Sequence, residues 1–466
     1  MSQTYVFARN APDAEYDRSL AWAALLLAAA GLVMVYSSSI ETSESSRFTG
    51  HNAAWFLIRQ GFFLACALSA AIAVFLVPAR WWQKAAPWLF GAGVALLVLV
   101  LIPGLGREVN GARRWLAVPL VSVQPSELVK LAAVLYAADY TVRKHAVMKS
   151  FRKGLLPMLA VMLLVSWLLL REPDFGAFVV IAVTAFGILF LGGMNGRHFA
   201  ALVAMLAVGF AVLVISSPYR MQRIFGFMDP WSDPLGRGYQ LSHALIAFGR
   251  GEWLGVGLGA SVEKLHYLPE AHTDFLLAVV AEELGFAGVA LVIGLFVWIV
   301  VRAFAIGRQA TLNERHFAAL AAQGIGIWVG FQSLVNMGVN MGLLPTKGLT
   351  LPLMSYGGSS VVSTLLAIRK TALRADSVLG IVEQELRPTL GQLQSLTGEL
   401  RQLSRAATEE LGRVGAVVQQ VEDVAAKAAR VLGVVGSFTR VGQYAGVAAG
   451  LKRGLDVFVR RLRTKA

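Results

Sequence analysis

Asp274 stands in the stretch "LPEAHTDFLLAVVAEELG" (268–285), with His272 and Thr273 before it and Glu282 and Glu283 after it, at the start of a long apolar run. Acidic groups in such a run are costly and mark functional or tightly partnered positions. Asp274 reads in two ways. It can be a carboxylate at the start of a helix capped by Thr273, favoured there by the helix dipole. It can also be a general base at a membrane face. In a regular helix Glu282 and Glu283 fall about 12–14 Å further along. They also lie about 80° and about 180° round from it. Neither reaches Asp274, so both read as a buried structural pair. His272 reads as a hydrogen-bonded structural residue.

Three other stretches carry chemistry-bearing residues. "NGARRWLAVPLVSVQPSELVKLA" joins an Asn-Gly turn signal to Arg113 and Arg114, then to a helix start marked by Pro125 and Glu127. Glu127 and Lys130 are spaced i,i+3, as a self-neutralising pair or as charges lining a polar cavity. "REPDFGA" holds Asp174 ahead of another helix. "NMGVNMGLLPTKGLTLPLMSYGGSS" puts Lys347 at the tip of a Gly- and Pro-punctuated segment. Ser355 and the Gly-rich stretch after it open the next helix, a backbone arrangement suited to phosphate. An acid and several cations gathered around one lipid-accessible place would suit an anionic, lipid-linked substrate.

The elements that must hold these groups are membrane helices. The chain has 466 residues, 56% hydrophobic and 15% charged, with a mean hydropathy of +0.61. Its apolar runs are long rather than alternating, which selects helices over a barrel. Ten spans are expected at 20–39, 54–78, 84–103, 126–142, 154–171, 175–194, 198–217, 274–302, 315–342 and 352–368, the fourth and tenth being short or charged. The single cysteine, Cys66, cannot form an internal disulfide. The net charge of +14 is spread beside the apolar runs, against nucleic-acid binding.

Charge sets the orientation. With the N-terminus inside, the short inward loops carry eleven Lys and Arg and the short outward loops six. Arg113, Arg114 and Lys347 face outward against the trend, and anion binding would explain them. The long outward segment 218–273, between the seventh and eighth spans, is expected to form short interfacial helices with Trp231 and Trp253 at headgroup depth. Residues 1–19 read as a cytoplasmic tail, 20–368 as the membrane domain and 369–466 as a helical extension. In the extension Leu393, Leu400, Ala407, Val414, Val421 and Ala428 recur every seven residues, a coiled-coil seam. The fold class is an all-α polytopic membrane protein with a coiled-coil-like C-terminal segment.

From about residue 15 to 360 the chain resembles the SEDS family, the FtsW/RodA polytopic proteins. The matching stretches are "NGARRWL", "QPSELVKL", "EPDFG", "PEAHTDF…EELG" and "GLLPTKGLTLPLMSYGGSS". "VMVYSSS", "PEAHTDF" and "LLPTKGLTLPL" are closer to the FtsW branch. The resemblance implies a peptidoglycan glycosyltransferase. Such a protein polymerises lipid II at the outer face of the bacterial cytoplasmic membrane during division, with a class B penicillin-binding transpeptidase and other divisome proteins as partners. It implies Asp274 as the catalytic residue and Lys130 as the match to a conserved family lysine; with the charge reading above, Lys130, Arg113, Arg114, Glu127, Asp174, Lys347 and Ser355 are the candidate substrate-binding residues. It implies no fixed cofactor, although a divalent cation such as Mg or Mn could assist. A lipid II flippase and a non-catalytic scaffold are the alternatives. The extension does not fit the family, and a fusion near 360–375 is the favoured reading of it.

Overall fold

The computed structural model describes residues 17–75, 77–109, 111–118 and 121–371, with Asp423 and Lys427 in helical conformation. The chain divides into two units, Met1–Ala375 and Asp376–Ala466. The heptad rows lie outside the described residues.

Ten helices of the first unit fall on the ten expected spans: α1 (Arg18–Ser45), α2 (Trp55–Phe75), α3 (Ala79–Leu101), α4 (Pro125–Arg143), α5 (Leu156–Arg171), α6 (Phe175–Leu191), α7 (Gly196–Ile215), α10 (Leu276–Leu312), α11 (His316–Asn340) and α12 (Gly358–Thr371). Seven of the helical segments are long and apolar enough to cross a membrane. α6 and α12 are shorter, at 17 and 14 residues. α4 carries Glu127, Lys130, Asp139 and Arg143, too polar to stand alone in lipid. α12 continues through Arg369 and Lys370 to Thr371, a little beyond the expected end at 368.

Polarity runs opposite to that of a soluble domain. Ser37, Gln60, Lys130, Asp139, Gln332, Asn336 and Asn340 are buried, while Trp22, Phe62, Leu163, Val208 and Leu291 are exposed. In lipid the apolar side chains need no cover, whereas each polar group needs a partner inside the bundle. α11 is the most enclosed of the long spans and α7 the least.

Two short helices, α8 (Pro218–Met228) and α9 (Tyr239–Gly251), occupy the long segment between α7 and α10. Trp231 and Trp253 are exposed there. A three-stranded antiparallel sheet follows α3: β1 (Gly106–Val109), β2 (Ala112–Val118) and β3 (Val121–Val123), in that order. The expectation of an all-α chain did not include it. The strands are only 4, 7 and 3 residues long, and their pattern is swamped by neighbouring hydropathy.

α10 is not one continuous helix. Gly285 adopts φ 65°, ψ −164°, and the helix breaks there. The segment after α9 repairs the break. Val256 and Gly257 N–H donate to the carbonyls of Glu282 and Glu283 at 2.9 and 3.1 Å, and Phe286 and Ala287 N–H donate to Glu252 and Trp253 carbonyls at 2.9 and 3.1 Å. Backbone groups freed inside a membrane protein must be satisfied this way. A Cβ at Gly285 would lie 2.6 Å from the Leu254 nitrogen, at a dihedral pair almost reserved for glycine. Gly285→Ala is therefore expected to cost on the order of 1–3 kcal/mol from backbone strain alone, read as a lower thermal unfolding temperature of the detergent-purified protein. Unchanged unfolding would mean that the break is not needed.

Candidate active site

Asp274 lies just ahead of α10, not in its first turn. The helix begins at Leu276, with Phe275 at the N-cap position and no side-chain cap. Thr273 does not cap it, because its hydroxyl turns back to the Glu270 carboxylate at 2.6 Å. The end of α10 is served instead by Asn340 of α11. Asn340 Oδ1 accepts from Ala278 N–H at 3.1 Å, and its Nδ2 donates to the Asp274 carbonyl at 2.9 Å. Asn336 Nδ2 donates to the same carbonyl at 2.8 Å. Two asparagines thus fix the Asp274 backbone.

The carboxylate itself receives no hydrogen bond among the described residues. A Cβ at Gly348 would lie 3.0 Å from Asp274 Oδ2, so the 345–356 loop covers the carboxylate closely. Burial pushes the Asp274 carboxyl up to about 7, and the negative charge of Glu270 adds to the rise. Arg114 and Arg223 oppose it, and Asp174 reinforces it. A half-buried carboxyl poised near neutrality, with cations close by, has the properties of a general base.

Arg114, on β2, reaches the turn between α5 and α6. Its Nε and Nη2 donate to the carbonyls of Glu172 and Pro173 at 3.0 and 2.6 Å. Lys347 holds its Nζ 4.5 Å above the Phe175 ring centroid. Arg223 of α8 donates to the Thr346 carbonyl at 3.2 Å, on the same loop as Lys347. The sequence reading passed over Arg223, whose only signal was an amphipathic basic turn beside Pro218. Arg113 points elsewhere. It is the direct cross-strand partner of Glu108 and pairs with it at 3.2 Å, exposed on the sheet. Alternation along a strand sends adjacent side chains to opposite faces.

Asp174 ties α4 to α6. One oxygen caps α6 by accepting Ala177 N–H at 3.1 Å, and the other accepts Ser126 Oγ at 2.9 Å and Gln124 Nε2 at 3.4 Å. Two residues earlier, Glu172 is fully buried and neither carboxylate oxygen has a partner among the described residues. Burial lifts its carboxyl to about 8, Asp174 adds to the rise and Arg114 opposes it. Glu172 is thus held well above the usual carboxylate range. It too was missed, because an acid beside Pro173 reads as an ordinary loop residue.

Lys130 is buried. Its ammonium donates to Glu127 Oε1 at 2.7 Å and Gln332 Oε1 at 2.8 Å, with the Trp328 ring 5.6 Å away. Gln332 passes the link to the Thr350 carbonyl at 2.9 Å. Lys130 and Glu127 therefore brace α4 against α11 and the 345–356 loop, without facing outward. Ser355 closes a turn: its buried hydroxyl accepts Leu351 N–H at 2.9 Å and does not open toward a phosphate. His272 packs at a tilt against Phe56 and Tyr356, with centroids 4.6 and 5.8 Å away. Burial holds its imidazole below the ordinary value, against the pull of Glu270.

Glu282 and Glu283 are fully buried. Glu282 accepts Arg250 at 2.8 Å, Val262 N–H at 2.9 Å and the Ser261 hydroxyl. Glu283 accepts Lys264 Nζ at 2.6 Å and Ser37 at 2.7 Å. Together they clamp the segment leading to Asp274 onto α1 and α10. Among the described residues no three His, Cys, Asp or Glu side chains gather as a metal-binding group.

These features define a polytopic helical membrane protein with a near-neutral carboxyl under the influence of two arginines. The chain belongs to the FtsW/RodA/SpoVE family of cell cycle proteins, whose model matches residues 17–370. A relative named as a probable peptidoglycan glycosyltransferase FtsW from Aromatoleum aromaticum is 65% identical over 354 residues, covering 76% of this chain and 86% of the relative. One of the same name from Burkholderia thailandensis is 54% identical over 364 residues, covering 78% and 79%. Among solved structures, a chain from a peptidoglycan synthase complex described as coordinating polymerization and crosslinking is 30% identical, with a TM-score of 0.62. The match covers 78% of this chain and 100% of that one. The rod shape determining protein RodA of Thermus thermophilus is 28% identical, with a TM-score of 0.55, over 78% and 99%.

Proposed function

We propose that this chain is a peptidoglycan glycosyltransferase that polymerises lipid II at the outer face of the bacterial cytoplasmic membrane, at the division septum. The observation that carries the reading is the 65% identity to a relative of that name across 86% of its length. The acceptor 4-hydroxyl oxygen attacks C1 of the donor sugar and forms the β-1,4 bond. The bond from C1 to the diphosphate oxygen breaks with inversion, releasing undecaprenyl diphosphate. Asp274 takes the hydroxyl proton. Arg114, Arg223 and Lys347 stabilise the charge that develops on the departing diphosphate. Asp174, Lys130 and Glu127 hold the helices and loop that carry these groups. Glu282 and Glu283 brace the segment that carries Asp274.

A class B penicillin-binding transpeptidase is the partner this reading calls for, joined by other divisome membrane proteins. A flippase would need its ionic groups reachable from both faces, and a scaffold would not need an ionisable Asp274. The deciding experiment is polymerisation of labelled lipid II by purified full-length chain with its transpeptidase, resolved by glycan length. Absence of polymer from active, well-folded complex would overturn the reading.

Within that assay the two adjacent arginines should separate. Arg114→Ala is expected to lower turnover at least about tenfold, as loss of one charge-assisted contact in the transition state does. Arg113→Ala should stay within about twofold, because an exposed ion pair contributes about 1 kcal/mol or less. Equal losses would show that the division of the pair between two faces does not matter to function.

A further inference from the structure

At the end of the bundle away from Asp274, a cavity of about 1340 Å³ opens among α4, α6, α10 and α11. α4 and α10 both start near Asp274 and run to this end. α10, 37 residues long, reaches it at Leu312. The floor is apolar, with Leu191, Phe304 and Leu320. Arg308, His145 and His316 stand in the lining, which contains no Asp or Glu. All three are exposed. Among the described residues none of the three has an ion pair or a side-chain hydrogen bond.

This end also carries Arg143, Lys144, Lys149, Arg152, Lys153, Arg197 and Arg315 at its helix ends and in the turns between them. By the charge rule it faces the cytoplasm. A basic pocket between membrane helices on that side suits a lipid headgroup. The volume exceeds the 300–1,000 Å³ typical of a small-molecule pocket, which leaves room for the upper parts of acyl chains. We propose that the cavity binds an anionic phospholipid of the inner leaflet. The headgroup phosphate sits against Arg308 and the two imidazoles, and the chains lie along Leu191, Phe304 and Leu320. The site is separate from the one proposed for glycan synthesis, and its test does not read catalysis.

The test is native mass spectrometry of delipidated full-length protein titrated with phosphatidylglycerol or phosphatidylcholine. Wild type is expected to retain phosphatidylglycerol about tenfold more tightly. The double variant Arg308→Gln with His316→Gln should lose the preference. Ala305→Trp keeps every charge but fills the cavity, and it should lose the bound lipid as well. All of these variants lie on exposed helix surface, and each is checked for wild-type thermal unfolding without lipid. Equal retention of the two lipids by wild type overturns the proposal. So does Ala305→Trp binding like wild type, which reduces the effect to surface charge. Displacement by soluble glycerol phosphate at matched concentration overturns it too, by making the site one for a free phosphate.

Discussion

Asp274→Asn is expected to lower lipid II polymerisation by about 10²–10⁴-fold, the contribution of a general base, and at the same time to make the protein more stable above neutral pH. A structural acid would not couple the two effects in opposite directions. The Asp274 carboxyl moves from an ordinary value of 3.8 to about 7 in the folded chain, chiefly through burial. Between those values the folded state holds a proton that the unfolded state has released. The favourable contribution is complete below about pH 4 and is lost as the pH rises through about 7. At pH 8 the ionised group is a net cost, bounded at roughly 4 kcal/mol by the size of the shift. Asn removes that cost and retains the backbone carbonyl that Asn336 and Asn340 hold. The same value sets the pH dependence of the wild type, whose rate should climb through about pH 7 as the base loses its proton. Thermal unfolding at pH 5 and pH 8, beside product-length analysis at equal protein, measures both. Near-wild-type polymer from the variant, or a variant less stable at pH 8, would remove Asp274 from the role of base.

The membrane spans were legible because hydropathy over twenty residues is an additive, local quantity. Each of the ten expected segments overlaps a helix, with seven helical segments long and apolar enough to cross a membrane; the resemblance pointed to Asp274 and Lys130, and the charge distribution to Arg114 and Lys347. What escaped was non-local. The break at Gly285 exists only because residues 252–257 arrive from α9 to satisfy its free backbone groups. A glycine in an apolar helix carries no sign of that partner. Thr273 looked like a cap, yet Asn340, 62 residues beyond Ala278, takes that place. Arg223 joins the Asp274 cluster by the folding of α8 over the 345–356 loop. Adjacent residues 113 and 114 looked equivalent until a strand sent them to opposite faces.

Lys130→Met is expected to cost about 3–5 kcal/mol of stability, the cost of leaving one partner of a buried ion pair without its counter-charge. Glu127 already has one oxygen without a partner among the described residues, so its other oxygen depends on Lys130 alone for charge compensation. Adding Glu127→Gln removes the stranded charge, and the double variant should regain most of the lost stability, since an apolar or neutral replacement of a whole buried pair is often near neutral. Activity should not return in full. Lys130 also holds Gln332, which holds the Thr350 carbonyl of the loop that carries Lys347 and packs Gly348 against Asp274. Turnover in the double variant is therefore expected to stay about tenfold low, on the scale by which small misplacements weaken catalysis. Unfolding temperature and polymer yield, measured on wild type, single and double variants, separate the two roles. A single variant as stable as wild type would show that the pair bears no load. A double variant with full activity would show that the Lys130 ammonium serves only to neutralise Glu127.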